Sequence, residues 1–160
     1  MATDFLLEID GIKGESSDSK HKDTIEIESF NWGATNSGTF SVGQGGGAGK
    51  VSFQDLRFTT RVNKASPLLM LSCAQGKHIK KATLFVRKAG TDQQDYYTIK
   101  LSDVLVSSYN SDDHSGGNLP TDSFTLNFAK IEFAYKPQKA DGSLDSAVEH
   151  GWDLKKNEKV

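Results

Sequence analysis

The chain reads as mainly β: a small bent, closed antiparallel barrel with one flanking helix. Three observations predict this. Apolar and polar residues alternate with period two along nearly every patterned segment, as half-buried strands require. Three of the longer strands change parity midway. One short segment carries helix punctuation at both ends.

Phe5, Leu7 and Ile9 alternate with Leu6, Glu8 and Asp10, and Ile25 and Ile27 with Thr24, Glu26 and Glu28. Val51–Val62, Ala82–Arg87, Tyr96–Val106 and Phe124–Tyr135 continue the pattern, and Trp152 and Leu154 suggest a last short strand. Most connections are too short for crossover helices, so the strands pair antiparallel. The parity shifts fall between Phe53 and Leu56, between Leu101 and Val104, and between Phe128 and Ile131. A strand with one buried face keeps its apolar set inside across such a shift only through a bulge or bend. Repeated bends curl a sheet into a small barrel. The helix is predicted between Ser66 as N-cap, with Pro67 after it, and Gly76 at the C-terminal end. Leu69 and Cys73 share its inward face.

A chain of 160 residues, 25% charged and 36% hydrophobic, fits a single domain over 1–160 that buries about two thirds of its unfolded surface. Two loops, about 38–50 and 110–120, are expected to be mobile. A net charge of −2 argues against a general nucleic-acid binder. The basic run Lys77-His78-Ile79-Lys80-Lys81 reads as a solvated strand entrance. The start Met1-Ala2-Thr3-Asp4-Phe5 lacks a basic region followed by an apolar one, so folding in the cytoplasm is expected, with any export independent of a cleaved signal. No apolar run reaches the length of a membrane span. A lone cysteine excludes an internal disulfide.

Gly43-Gln44-Gly45-Gly46-Gly47-Ala48-Gly49-Lys50 holds five of the 15 glycines and invites a phosphate-cradle reading. Its spacing refuses one. A P-loop ending at Gly49-Lys50 needs glycine where Gln44 stands and a hydroxyl where Val51 stands. Gly43, Gly45 and Ala48 fit the loose dinucleotide pattern, but a strand follows instead of a helix, and Asn63 occupies the acidic position. The stretch reads instead as a connector that loses much entropy on ordering and takes up order against a partner.

No catalytic constellation emerges. Cys73 lies near the helix C-terminus, where the dipole disfavours a thiolate. Asp112, Asp113 and His114, and the Asp141-to-Asp145 turn, lack an EF-hand's spacing and its closing glutamate. There is no Gly-x-Ser-x-Gly element. The chain reads as a non-enzyme, with no catalytic, cofactor-binding or metal residues.

Gly11-Ile12-Lys13-Gly14-Glu15-Ser16-Ser17-Asp18 with His21, then Ile27-Glu28-Ser29-Phe30-Asn31-Trp32-Gly33, resemble the haemolysin-coregulated protein (Hcp) family, the tube protein of type VI secretion systems. The glycine loop with Val51, Lys64-Ala65-Ser66-Pro67-Leu68, Cys73 through His78, and Val104-Leu105-Val106-Ser107-Ser108 continue the likeness. Leu126-Asn127-Phe128, Tyr135-Lys136-Pro137-Gln138-Lys139-Ala140-Asp141-Gly142 and Gly151-Trp152 complete it. Asn63, where aspartate is common, and Asp122-Ser123, where a glutamate is usual, depart from the pattern. Because the chain stops soon after Trp152, the plain tube form without an appended toxin domain is expected.

The resemblance implies a homohexameric ring, with rings stacked into a hollow tube. It implies as partners a contractile sheath, a spike-tip protein and small effectors held in the lumen, with no nucleic acid, no membrane insertion and no cofactor. The subunit would be cytoplasmic before firing and secreted afterwards. Gly43 to Lys50 is the expected ring-stacking loop. Asn31, pointing opposite to Phe30 and Trp32, is the expected lumen and effector contact. The competing reading is an extracellular β-sandwich module that holds calcium and a sugar with the Asp112–Asn118 loop and the Asp141 turn.

Overall fold

The computed structural model describes residues 3–38, 50–88, 94–113 and 119–160. In chain order they form β1 (Thr3–Ile9), β2 (Ile25–Ile27), β3 (Ser29–Asn31), β4 (Ala34–Asn36), β5 (Val51–Phe53) and β6 (Leu56–Arg61). After α1 (Ser66–Gln75) come β7 (Ile79–Lys88), β8 (Asp95–Asp112), β9 (Thr121–Tyr135), β10 (Val148–Asp153) and β11 (Glu158–Lys159). The main sheet runs β11-β10-β9-β8-β7-β1-β2, and β6 joins it by pairing with both β9 and β3. All pairings are antiparallel. The first half of β9 is flanked by β6 and its second half by β10.

The expected closed barrel is corrected. β2 pairs with β1 and β3 pairs with β6, but no ladder joins β2 to β6. The run from Ile25 to Asn31 changes partners at Glu28, so each half holds one neighbour. Two hydrogen bonds bridge the change: the Glu28 N–H donates to the Thr59 carbonyl at 2.8 Å, and Thr60 Oγ1 donates to the Glu26 carbonyl at 2.6 Å. The sheet therefore curls round a core without being sealed by a continuous ladder.

The parity shifts have separate causes. Between Phe53 and Leu56 the chain passes from β5 to β6, which belong to different sheets. In β8, Leu101 and Val104 are both buried because Asp103 adopts a positive φ of 54°, a local kink that restores the apolar set to the inside. A second irregularity lies between Val106 and Ser108. In β9, Phe128 and Ile131 are both buried at the level where they face Val104 and Leu101.

The core joins Leu7, Ile25, Leu56, Phe58, Leu84, Ile99, Leu101, Phe124 and Leu126. An aromatic belt extends it: Phe5 meets Phe30 at 5.4 Å, Phe30 meets Tyr97 at 6.0 Å, and Tyr97 meets Phe133 at 4.7 Å. Trp32 continues it between Phe133, at 5.7 Å, and Phe53, at 6.4 Å. Such pairs add to area burial through edge-to-face and offset geometry.

The helix ends as expected at Gly76, whose φ of 59° gives a left-handed cap that a residue with a Cβ resists. Its start differs. Ala65 is the N-cap, no side chain caps the helix, and Ser66 is already its first residue. The Ser66 hydroxyl is engaged elsewhere: it donates to Asp122 Oδ2 and accepts the Asn63 N–H at 3.0 Å. Leu69 is fully buried, and half-buried Cys73 packs against the core.

Residues 12–24 form a strap held against β7 and the start of β8. Gly14 makes this possible, since a Cβ there would lie 2.4 Å from the Thr24 carbonyl oxygen. Asp18 Oδ1 accepts the N–H groups of Lys20 and His21 at 2.9 and 3.1 Å, and Arg87 Nη1 at 2.6 Å. The His21 ring stacks on Phe85 at 4.1 Å, and its Nε2 meets Asp95 at 2.9 Å. Arg87 is completely buried.

Candidate functional site

Asn31 stands on an exposed polar face that crosses four strands. In β3, Phe30 is tied into the aromatic belt, so its neighbours Ser29 and Asn31 project to the other side, where both are exposed. Cross-strand register then lines up two rows. Asn31 faces Arg57, which faces Thr125, which faces Ser108. Ser29 faces Thr59, then Ser123, then Asn110. Residues directly opposite on one face are in contact range.

Hydroxyl and amide groups dominate this face and are bonded to one another. Ser29 and Thr59 share a hydrogen bond. The irregularity after Val106 sets two serines against one residue: Ser107 and Ser108 reach Thr125 Oγ1 at 2.7 and 2.6 Å. This is the two-against-one arrangement of a bulge. At the rim, both oxygens of Asp55 are taken, by Ser107 Oγ at 2.7 Å and Asn127 Nδ2 at 2.9 Å.

The glycine stretch from Gly43 through Gly49 lies outside the described residues, as do residues 114–118 of the second loop; Lys50 is described and exposed. What precedes and follows the glycines is described. β4 and β5 pair with Asn36 opposite Val51 and form a two-stranded sheet of their own. The chain thus leaves Asn36 and returns at Val51 side by side, as the two arms of a hairpin. All three residues of β4 are exposed.

The Asp141 turn is explained by local bonding, since Asp141 Oδ1 accepts the Ser143 N–H at 3.0 Å and its hydroxyl at 2.6 Å. Those bonds hold the carboxyl below its ordinary value, with the Ser143 hydroxyl the largest cause. Among the described residues no three His, Cys, Asp or Glu side chains cluster as metal ligands. A hollow of about 560 Å³ opens between the start of β1, the strap and the end of β6, lined by Asp4, Glu15, Glu26 and Arg61 among others. Among the described residues no helix is long and apolar enough to cross a membrane.

The family model described as "Type VI secretion system effector, Hcp" matches residues 6–135. The chain belongs to the Hcp family. Protein hcp1 of Pseudomonas aeruginosa is 44% identical over 159 residues, which cover 98% of both chains. Among solved structures, a type six secretion system protein superposes with a TM-score of 0.94 at 31% identity, covering 99% of this chain and all of that one. Hcp1 from Salmonella typhimurium gives 0.80 at 31% identity over the full length of both chains.

The two departures from the Hcp pattern meet at one place. Asn63 Oδ1 accepts the Ala65 N–H at 2.9 Å, and its own N–H donates to Ser66 Oγ. Ser66 in turn donates to Asp122, which also accepts Tyr109 Oη at 2.9 Å. Asp122 is fully buried. Burial, then the bond to Asp122 and its charge, raises the Tyr109 phenol above its ordinary value. The network ties the helix start to β8 and β9, and the sequence carried no sign of it because the partners are 56 residues apart. Asp122→Ala removes the acceptor of the buried Ser66 hydroxyl and of the half-buried Tyr109 hydroxyl and is expected to cost about 1–3 kcal/mol in urea unfolding, because an unmet buried group carries its desolvation penalty.

Proposed function

We propose that this chain is the tube subunit of a type VI secretion system. Six copies form a ring, rings stack into a hollow tube, and the Asn31 face lines the lumen. The reading is carried by one observation in a member of the Hcp family: a solvated face spanning β3, β6, β9 and β8, backed by an aromatic core. A hydrated channel wall needs such a face. Helix α1 supports association, since its ten residues include no charge and leave Leu68, Met70 and Leu71 exposed. Neighbouring exposed apolar groups of this kind mark surfaces that other chains cover.

The glycine stretch lies between β4 and β5 in the sequence, and Gly43 to Lys50 is the ring-stacking arm in this reading. Stacking is head-to-tail and non-closing, the arrangement that grows filaments. Ordering glycines on contact weakens each step enough for rings to part. A contractile sheath, a spike-tip protein and small effectors are the partners of such a tube. The subunit waits in the cytoplasm and leaves with the tube when the sheath fires. The Hcp family is one of secretion-system structural proteins, and no reaction is assigned to this chain. The extracellular β-sandwich module finds no support in the relatives.

Light scattering tests the ring and electron microscopy the stack. The purified protein is expected at six times the subunit mass. Deleting Gly45, Gly46 and Gly47 should preserve that mass and abolish tubes, whereas tubes of normal length from the deletion variant would refute the stacking role.

A further inference from the structure

We infer that Arg57 makes the Asn31 face selective for cargo proteins that present carboxylates, an inference that rests on that face lining a ring. Arg57 lies in β6 between buried Leu56 and Phe58, so its side chain is directed to the exposed face. Its register neighbours are neutral: Asn31 on one side and Thr125 on the other. Among the described residues Arg57 has no ion pair and no side-chain hydrogen bond. The other charges nearby differ in this respect. Arg61 is bonded through Nε to Glu28 at 3.2 Å, and Asp55 accepts one hydrogen bond at each oxygen, from Ser107 and Asn127.

The face therefore offers hydroxyls occupied with one another and one uncommitted guanidinium per subunit. Six copies place six such groups at a single level of the ring, beside six Asn31 amides. A guanidinium binds a carboxylate through two parallel N–H donors, and repetition around a ring adds the contacts by avidity. Nucleic acid fits the face less well. Binding of single strands combines tracks of cations with aromatic platforms for the bases, and here Phe30, Trp32 and Phe133 are turned into the core.

Three fluorescein-labelled probes test this at low salt by anisotropy: an octamer of glutamate, an octamer of lysine and an eight-nucleotide single-stranded DNA. Rings of the natural protein, Arg57→Ser, Arg57→Gln and Arg57→Lys are first checked for six-fold mass. The glutamate octamer is expected to bind natural rings and to weaken at least tenfold in the Ser and Gln variants. Lysine at this position should restore part of the binding. The lysine octamer should bind no better to natural rings than to the variants. Equal affinity of the glutamate octamer for natural and Arg57→Ser rings would overturn the role of Arg57 while leaving the ring intact. DNA binding that exceeds the glutamate octamer and disappears with Arg57 would reassign the face to nucleic acid. A single-subunit mass for the natural protein would remove both the ring and this inference.

Discussion

Phe58→Ala is expected to lower stability by about 3–5 kcal/mol, read as a fall in the urea midpoint, because it truncates a fully buried aromatic where the surroundings relax little. Phe58 is completely buried and stacks on Phe124 at 5.3 Å with an interplanar angle of 28°. The two are register partners across β6 and β9. That ladder is also what attaches β6, and through it β3, to the main sheet. The cavity would open beside the joint that carries Asn31 and Arg57. Phe58→Leu keeps more of the volume and should lose clearly less, since volume-conserving exchanges are tolerated best. An alanine variant as stable as the natural protein would show that β6 is not held by this pair.

Asp18→Asn is expected to cost about 3 kcal/mol near neutral pH, because it takes a carboxylate charge away from the buried Arg87 guanidinium. The contact is 2.6 Å, with Arg87 wholly buried and Asp18 half-buried. Burial on its own would raise the Asp18 carboxyl. The N–H groups of Lys20 and His21, followed by Arg87, outweigh it and hold the carboxyl below its ordinary value of 3.8. A carboxyl depressed in the folded state contributes its full stability above the unfolded value and loses it as pH falls through the folded one. The gap between the natural protein and Asp18→Asn should thus be constant above about pH 5 and narrow on acidification below about pH 3.8. A gap that stayed constant to pH 2 would mean that Asp18 acts by shape and not by charge.

These two sites differ in how far the sequence disclosed them. The alternation Leu56, Phe58, Thr60 announced a strand with one buried face, and the core followed from it. The parity change in β8 announced a kink, which the positive φ of Asp103 supplies. Period-two patterning is local, so it survives in the sequence. Closure of the barrel was not local. It depended on whether Ile25–Asn31 keeps one partner or exchanges it at Glu28, and no side-chain pattern marks that choice. Arg87 was equally silent: it ends an alternating strand like any solvated arginine, and its bond to the strap at Asp18 joins residues 69 apart in the chain. Ser66 was read as a helix cap on good local grounds, yet a bond to distant Asp122 claimed its hydroxyl. The outward direction of Asn31 was legible because its aromatic neighbours fixed the inward side of β3. Arg57 was not, since its company with Asn31 is a matter of register between strands.

If the face lines a channel as proposed, the bulge that sets Ser107 and Ser108 against Thr125 has a mechanical consequence. Hydroxyls already bonded to one another offer a passing surface few new bonds, so little must be broken for that surface to move on. A liner of this kind has low friction. Grip is then confined to the few uncommitted groups, and a load can be held at rest yet slide freely once it is pushed.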